Sequence, residues 1–265
     1  MKVKHLVGAF LCVLGCYACS SPKTEVQSPD GHIKMTLTVD ENGKPFYNVS
    51  VDDSLLIENS AMGFTAANGI ILAEGFQVKN TTFSSEDETW TQPWGENKKN
   101  RNHYNEMAVS LTNEDQVQLT LRFRVFDDGI GFRYEYTVPT VDSLLITDEL
   151  TTFHFHRDGT SWSIPASAET YELLYQQQPI SEVETANTPF TFKTADGVYG
   201  SIHEAALYDF PEMTLKQIGH YTLKAELAPW PDGIKARKGN HFTTSWRTIQ
   251  IAPEAVGLID RKSVV

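Results

Sequence analysis

Short runs in which apolar and polar residues alternate recur along most of this chain. In the first run, apolar residues occupy every second position from Ile33 to Val39, with lysine and threonines between them. This period of two is typical of a half-buried strand. Residues 40–43, Asp-Glu-Asn-Gly, supply turn chemistry before a second β-rich run at 46–51. The pattern therefore predicts an opening β-hairpin.

A second hairpin is predicted over residues 116–138. Apolar residues occupy the odd positions from 119 to 125, with arginines at 122 and 124 between them. Asp-Asp-Gly at 127–129 turns the chain, and aromatic residues return at 132, 134 and 136. Further short runs follow, separated by turn residues about every ten positions. Together they predict an all-β fold, a large β-sandwich.

Two stretches break the alternation. Residues 167–178 are compatible with a short helix or an irregular arm. Residues 84–101 are polar and aperiodic, which predicts a loop, yet they contain Trp90 and Trp94. Loops seldom carry two tryptophans unless these dock or contact a ligand. Aromatic faces pack on sugar rings and amides hydrogen-bond hydroxyls, so a sugar platform is one interpretation. The other is that both tryptophans fill an edge of the sandwich. The candidate substrate-binding residues are Trp90, Trp94, Arg101, Asn102 and His103.

The strand after Asp196-Gly197 ends in an unusual carboxylate. Alternation places Val198, Gly200 and Ile202 on the same face as Glu204. An unpaired carboxylate at the end of an apolar row costs several kcal/mol if it is buried. Glu204 therefore needs a cation, an arginine or a proton, unless it is simply solvated at the strand end.

The overall composition excludes several classes of protein. Hydrophobic residues make up 40% of the chain and aromatic residues 11%, which is enough for a core and argues against disorder. The formal net charge of −12 argues against nucleic acid and against anionic membrane surfaces as partners. The sequence contains no nucleophile elbow, no phosphate-binding loop and no dinucleotide fingerprint, so no catalytic residue is assigned.

The first residues are typical of an export signal. Lys2 and Lys4 precede a short apolar core, and all three cysteines of the chain lie within the first twenty residues. The spacing predicts a lipoprotein signal peptide over 1–19 with Cys16 or Cys19 as the lipidated residue, then a tether over 20–27. A plain cleaved secretion signal is the alternative. Either assigns the protein to the periplasm or outer membrane, with membrane contact only through a lipid anchor.

Several motifs occur in an order that resembles a known family. They are Ser-Pro-Asp-Gly at 28–31, Glu-Thr-Trp-Thr-Gln-Pro-Trp-Gly-Glu at 88–96, Arg-Asn-His-Tyr-Asn-Glu at 101–106, Asp-Asp-Gly-Ile-Gly-Phe-Arg-Tyr-Glu at 127–135, Ile-Pro at 164–165, Ile-His-Glu-Ala-Ala-Leu at 202–207 and Ser-Trp-Arg-Thr-Ile at 245–249. The chain resembles the N-terminal domain of glycoside hydrolase family 97, α-glucosidases and α-galactosidases of Bacteroidota-type bacteria. The likeness implies a domain over 28–265 with a galactose-mutarotase-like β-super-sandwich fold.

The resemblance also implies what else the protein needs. In this family a catalytic (β/α)₈ barrel follows the sandwich, and barrel active sites lie at the carboxyl ends of the strands. The sequence ends before such a barrel, so we expect a fragment that is inactive alone. Its expected partners are an α-linked oligosaccharide and the catalytic barrel of the same polypeptide. The alternative is a non-catalytic, carbohydrate-binding surface lipoprotein.

The resemblance assigns a metal role to Glu204. In the family, the sandwich contributes one glutamate to a calcium site beside the sugar pocket, and Glu204 matches that position. Calcium prefers several carboxylate oxygens, so the remaining ligands are expected from the barrel. An ion pair between Glu204 and an arginine of its own domain would count against this role.

Overall fold

The computed structural model describes residues 24–67, 69–95 and 97–259. Their regular secondary structure is almost entirely β-strand, with two short 3₁₀ turns at Ile180–Glu182 and Ala255–Leu258. The predicted signal peptide, with Cys16 and Cys19, lies outside the described residues. Within the described ranges, no helix is long and apolar enough to cross a bilayer.

The strands are short, apart from two near the middle of the chain. The first eleven are β1 Glu25–Gln27, β2 Ile33–Val39, β3 Pro45–Val51, β4 Ser54–Ala61, β5 Phe64–Ala66, β6 Ile71–Leu72, β7 Gln77–Thr91, β8 Lys99–Thr112, β9 Gln118–Phe126, β10 Gly129–Thr137 and β11 Ser143–Glu149. The remainder are β12 Thr152–His154, β13 Gly159–Ser163, β14 Gln176–Pro179, β15 Thr185–Asn187, β16 Phe190–Thr194, β17 Tyr199–Ala205, β18 Met213–Gly219, β19 Thr222–Leu227, β20 Ala236–Gly239, β21 His241–Thr243 and β22 Trp246–Ala252.

One large antiparallel sheet carries both regions that the sequence singles out. Its order is β14-β13-β16-β17-β22-β10-β9-β8-β7, and β21 also pairs with β10. Strand β17, which contains Glu204, lies inside the sheet between β16 and β22. Strand β7, which contains Trp90, is an edge. The two regions therefore lie on different strands of one continuous sheet.

Three four-stranded sheets complete the fold. Their orders are β1-β2-β3-β4, β20-β11-β5-β6 and β12-β19-β18-β15. Aromatic side chains from these sheets pack on the inner face of the large sheet. Tyr47 lies 4.9 Å from Phe132 between ring centroids, and Phe64 lies 5.0 Å from Tyr134. All four rings are buried in one continuous hydrophobic core, which makes the fold an all-β sandwich.

Both hairpins expected from alternation are confirmed. Strands β2 and β3 form the opening hairpin, and β9 pairs with β10 along its whole length. The turn at Asp196-Gly197 is also confirmed, because it joins β16 to β17. The tether predicted over 20–27 is wrong in its last three residues. Glu25–Gln27 forms β1, which pairs with β2 because Val26 is buried against the core.

The loop predicted over 84–101 is also wrong. Residues 84–91 extend β7, residues 99–101 begin β8, and only 92–98 connect them. On the N-terminal side of Tyr104, strand β8 pairs with β7 alone. Residues 84–104 therefore form a two-stranded ribbon that extends past the rest of the sheet, which we call the long hairpin. Such a ribbon has no core beneath it and needs no apolar row, which is why alternation does not reveal it. The stretch 167–175 is an irregular arm and not a helix.

Candidate functional site

The position of Glu204 is fixed by the pairing of β17 with β22. Glu204 lies directly opposite Arg247, and both side chains are on the inner face, since Arg247 in turn pairs with the buried Phe132. Arg247 Nη1 donates to Glu204 Oε2 at 2.8 Å. The backbone N–H of Met213 donates to Glu204 Oε1 at 3.0 Å. Of the three partners that the sequence leaves open for Glu204, the structure therefore shows an arginine.

Arg247 also holds a second carboxylate. Its Nε and Nη2 donate to the two oxygens of Glu149 at 2.9 and 2.5 Å, in a bidentate pair. Its Nη1 donates further to Ser245 Oγ at 2.7 Å. Arg247 and Glu149 are fully buried and Glu204 is 9% exposed. We call Glu149, Arg247 and Glu204 the buried triad.

The buried triad has more negative than positive charge. Two carboxylates share one guanidinium, so the fully ionised cluster carries a net charge of −1. Burial raises the pKa of the Glu204 carboxyl above its ordinary value, although the adjacent Arg247 opposes the rise. Burial alone would lower the pKa of Arg247, but Glu149 and Glu204 raise it. The arginine stays charged, and Glu204 is the member closest to accepting a proton or sharing a cation.

The loop that joins β17 to β18, residues 206–212, lies next to the buried triad. Ala206 and Asp209 both have left-handed backbones, with φ of 51° and 49°. Non-glycine residues in this region are strained, and such strain is frequent at functional sites. The loop leads to Glu212, whose two carboxylate oxygens accept the Tyr171 hydroxyl at 2.7 and 2.6 Å. Tyr171 belongs to the irregular arm, so the arm is attached beside the buried triad.

His203 precedes Glu204 and faces the other way. Its Nδ1 lies 3.0 Å from Thr188 Oγ1. Burial lowers the pKa of the His203 imidazole, which favours the neutral ring. Across residues 24–67, 69–95 and 97–259, no three His, Cys, Asp or Glu side chains form a group that could hold a metal ion. Any metal at Glu204 would therefore need ligands from elsewhere.

The long hairpin divides the other sequence candidates between two faces. Trp90 pairs with Asn100, and Glu88 pairs with Asn102, so these side chains share one face of the ribbon. Asn102 Nδ2 donates to Glu88 Oε1 at 3.0 Å. The register continues this face into the outer face of the large sheet, where Arg124 stacks on Tyr104 at 4.5 Å. Trp90 and Asn102 are thus brought together.

Arg101 and His103 lie on the opposite, inner-facing side of the same hairpin. Arg101 forms a bidentate pair with Asp87, with Nε and Nη2 at 2.7 and 2.8 Å from its two oxygens. His103 Nδ1 lies 3.7 Å from Asp127 Oδ2. Trp94 is in the connection between the strands and is 81% exposed. The five predicted residues therefore do not form one surface.

Asn102 has an unusual environment. The residue is only 8% exposed, and its Oδ1 has no hydrogen-bond partner among the described residues. Trp90, two residues from the position opposite Asn102, is 40% exposed. The Asn102 oxygen is itself buried, so the exposed ring of Trp90 is the part of this face that a ligand can reach. Neither tryptophan is fully buried in an edge of the sandwich, which was the alternative interpretation.

Glu204 and Trp90 are far apart. The register leads from Glu204 across the sheet to Phe83 of β7, five strand spacings away, and Trp90 lies seven residues beyond Phe83. At about 4.8 Å per strand and about 3.3 Å per residue, the separation is on the order of 30 Å. The two positions also lie on opposite faces of the sheet. They cannot contact the same monosaccharide.

Sequence reasoning missed Arg247 and Glu149. The signal for Arg247 was present, because an arginine interrupts the apolar strand Trp246–Ala252. Glu149 had no local signal, since it lies 98 residues from its partner in the chain.

A family model for the N-terminal domain of glycosyl hydrolase 97 matches residues 26–265. The chain belongs to this family. The resemblance read from the motifs is therefore confirmed, and the match begins two residues before the domain boundary expected at position 28. The domain is known from enzymes in which it accompanies a catalytic domain.

Individual relatives agree with the family assignment. A retaining alpha-galactosidase of Bacteroides thetaiotaomicron is 25% identical over 246 residues, which cover 86% of this chain and 36% of that protein. A family 97 enzyme from Pseudoalteromonas sp. strain K8, solved with panose, is 37% identical with a TM-score of 0.87. The match covers 90% of this chain and 37% of the enzyme. A beta-arabinopyranosidase at 20% identity and a TM-score of 0.79 shares the fold. The chain thus spans little more than a third of the first two relatives' lengths.

Proposed function

We propose that the chain works as the N-terminal, substrate-site domain of an α-glycoside hydrolase that acts on α-linked glucosides or galactosides. The observation that carries the proposal is the family match over residues 26–265. Two relatives indicate the substrate class: one is named a retaining alpha-galactosidase, and the other was solved with panose and with acarbose. Catalysis is assigned to a barrel domain of the same polypeptide, so this chain acts as a fragment that is inactive alone.

The proposal is tested by assaying the purified chain for hydrolysis of maltose and melibiose. We expect no hydrolysis above the buffer rate, because none of its residues is assigned to bond cleavage. Binding of one disaccharide in preference to the other, measured by calorimetry, would indicate whether glucosides or galactosides are preferred. Hydrolysis by this chain would overturn the division of roles.

Calcium is the ion that best suits Glu204. Each carboxylate oxygen of Glu204 accepts one hydrogen bond and retains a further lone pair. The buried triad carries excess negative charge, which a divalent cation would balance. The ion pair with Arg247 counts against a dedicated site, so Glu204 would supply one shared ligand and the catalytic domain the rest. Calcium would add positive charge beside the sugar pocket.

A thermal unfolding series with and without calcium chloride tests this assignment. We expect little or no stabilisation of the chain alone at calcium concentrations up to about 1 mM, because one carboxylate is far from the six to eight ligands that calcium takes. Tight binding to the isolated chain would contradict a site shared with another domain.

The outer face of the long hairpin suggests a sugar contact. Trp90 offers an exposed ring on this face, and the Asn102 side chain lies buried beside it. This arrangement favours the second candidate function, a non-catalytic carbohydrate-binding surface lipoprotein. Under that function the chain binds sugar without a catalytic partner. Strong disaccharide binding by the chain alone would favour it over the first.

Both functions place the protein in the periplasm or at the outer membrane. The support is the export signal, with Cys16 or Cys19 as the lipidated residue. Labelling cells with a fatty-acid analogue tests the anchor. Substitution of both cysteines by serine should abolish the label, and label that persists would exclude lipidation at these positions.

A further inference from the structure

One edge of the large sheet is a long strand that is paired on one side only. Strand β7, Gln77–Thr91, pairs with β8. On its other side, no strand in the described part of the chain pairs with it. Every residue from 82 to 91 is exposed, so this edge is open to solvent. An open edge of this length presents a row of backbone N–H and C=O groups to which another strand can add.

The features that normally protect an edge strand are absent from the middle of β7. Near its beginning, the register with β8 shifts between Val78 and Asn80, which makes Lys79 a bulge residue. Three acidic residues follow one another at 86–88. Between them, residues 80–85 read Asn-Thr-Thr-Phe-Ser-Ser, with no charge, no proline and no register shift, and we call them the uncharged segment. An edge of this composition is suited to pairing with another strand.

The uncharged segment has charges of opposite sign at its two ends. Lys79 precedes it, and Glu86 and Asp87 follow it. Two copies in parallel would bring like charges together, whereas an antiparallel arrangement brings Lys79 of one copy near Asp87 of the other. The long hairpin is also nearly neutral, with acidic residues at 86, 87, 88 and 96 and basic residues at 98, 99 and 101, although the chain carries −12. The local charges therefore favour antiparallel pairing of two identical strands.

Phe83 gives the uncharged segment an apolar centre. Its side chain is 51% exposed, and its partner on β8 is the fully buried Met107. Its ring therefore lies on the core side of the sheet but at the margin of the core. It borders a groove of about 680 Å³ between β1 and β7, which Val26 and Pro29 also line. An apolar side chain from an added strand would cover the ring and narrow the groove, and Phe83 of a second copy is such a side chain.

We propose that β7 pairs in antiparallel orientation with β7 of a second copy of this chain, about a two-fold axis at Phe83. In this register the two Phe83 side chains lie directly opposite each other, and Lys79 comes close to Asp87 of the other copy. No carboxylate opposes a carboxylate, as would happen with the axis at any of residues 86–88. The contact is isologous, since both copies use the same strand.

The pairing joins the two large sheets into one continuous sheet. The overlap runs from residue 77 to residue 89, a length of about 40 Å that supplies about a dozen backbone hydrogen bonds. Because the added strand occupies the edge, both faces of the long hairpin stay open, including the face that carries Trp90. The inference goes beyond the proposed function and does not depend on it.

Disulfide cross-linking tests the position of the axis. The cysteines of the chain, at 12, 16 and 19, are first replaced by serine, and Phe83→Cys is then introduced. Residues directly opposite in an antiparallel pair have Cα atoms about 4.5–5.5 Å apart, which a disulfide can span. We expect oxidation to give a covalent dimer that a reductant reverses. Thr89→Cys, on the same face of the same strand, is the matched control and should stay monomeric, because its two copies are about 40 Å apart.

A mixture of two variants gives a second test of the register. Position 80 of one copy lies opposite position 86 of the other, but each position is about 20 Å from its own copy. Oxidation of Asn80→Cys alone or of Glu86→Cys alone should therefore give no dimer. Oxidation of the two together should give the mixed dimer. A dimer from either variant alone would overturn the register.

Sedimentation velocity tests the association without a disulfide. With the three cysteines replaced by serine, we expect the chain to form a dimer at about 50 µM. Phe83→Lys places two ammonium groups opposite each other at the axis, so the dimer dissociation constant should rise at least about 10-fold. The side chain is exposed, so the unfolding midpoint of the monomer should be unchanged. Ile218→Lys, at a residue 55% exposed on β18, is the control and should leave the dissociation constant unchanged.

Three results would overturn the self-pairing of β7. The first is a chain that sediments as a monomer and gives no cross-link in Phe83→Cys. The second is equal cross-linking of Phe83→Cys and Thr89→Cys, which would indicate random collision. The third is a dimer that Phe83→Lys leaves intact, because its contact would then lie on another surface. None of these measurements involves sugar hydrolysis, so failure here is distinguishable from failure of the proposed function.

Discussion

The Glu204 end of the large sheet and the long hairpin differ in which side chains they bury and which they expose. At the Glu204 end, three ionised side chains are buried while aromatic and leucine side chains are exposed. On the long hairpin, the Arg101–Asp87 pair is exposed on both sides, at 58% and 53% of the side chains. The hairpin is the ordinary arrangement of a surface. The Glu204 end reverses that arrangement, with its charged side chains buried and several apolar side chains exposed.

The largest expected effect comes from removing the cation of the buried triad. Arg247→Met leaves Glu149 and Glu204 buried without a counter-charge, and breaking a buried pair in this way costs about 3–5 kcal/mol. For a domain of this size, about 2–4 °C is lost for each kcal/mol, so the unfolding midpoint should fall by about 6–20 °C. Thermal unfolding followed by circular dichroism measures it.

Arg101→Met is the matched control, because it removes a bidentate arginine from an exposed pair. Solvent and salt screen such pairs, so we expect no measurable change in the midpoint. Equal losses for the two arginine variants would show that burial does not distinguish the regions. An unchanged unfolding midpoint in Arg247→Met would show that the buried triad is dispensable for the fold.

A substitution on the outer face of the long hairpin should change ligand affinity and leave the unfolding midpoint nearly unchanged. Trp90→Ala removes an exposed ring, so the unfolding midpoint should stay within about 2 °C of the unmodified chain. Disaccharide affinity should fall about 10-fold, or ~1.4 kcal/mol, measured by calorimetry. The same calorimetric measurement on Asn102→Ala tests whether the amide on this face contributes to disaccharide affinity.

The division of the hairpin into two faces gives this experiment its control. Arg101→Met lies on the opposite face and should leave affinity unchanged. Loss of affinity in Arg101→Met to the same extent would mean that the sugar contacts both faces, as the five sequence candidates together suggested. Unchanged affinity in Trp90→Ala would eliminate the platform.

Local chemistry explains which parts could be predicted from the sequence. Alternation and turn residues lie within a few positions of each other, so the opening hairpin and the Asp196-Gly197 turn were predicted correctly. The same reasoning singled out Glu204 as a carboxylate at the end of an apolar row and left open whether it is paired or solvated. It could not choose between an arginine and a metal ion, because the answer lies on another strand.

Non-local pairing explains the parts that could not be predicted. Arg247 reaches Glu149 across 98 residues of chain, a contact that only the assembled sheets create. The extension of β7 through Trp90 was missed for a different reason. A ribbon with no hydrophobic core against it carries no hydrophobic period, and its strands are recognised only by their hydrogen bonds to each other.

The smallest effect, and the sharpest test of the buried triad, is the pH dependence of Glu204→Gln. Glutamine keeps the shape of the side chain and can accept from Met213 N–H, but its NH₂ replaces the oxygen that accepts from Arg247 Nη1. The substitution also removes the excess negative charge of the buried triad, which offsets that loss, so at neutral pH we expect a change in the free energy of unfolding within about 1 kcal/mol. Burial raises the pKa of Glu204 in the folded chain above its value in the unfolded chain. The folded state therefore binds more protons in that interval, and stability falls as pH rises through it.

Glutamine does not titrate, so Glu204→Gln should gain stability relative to the unmodified chain as the pH is raised from below 4.5 to neutrality. Urea unfolding of both proteins at several pH values measures the difference. Parallel pH profiles would mean that Glu204 titrates as it does in the unfolded chain, which would contradict the raised pKa of its carboxyl in the folded state. A difference that disappears at neutral pH when a catalytic domain and calcium are supplied would instead show that the excess charge at this end of the sheet is balanced by the partner.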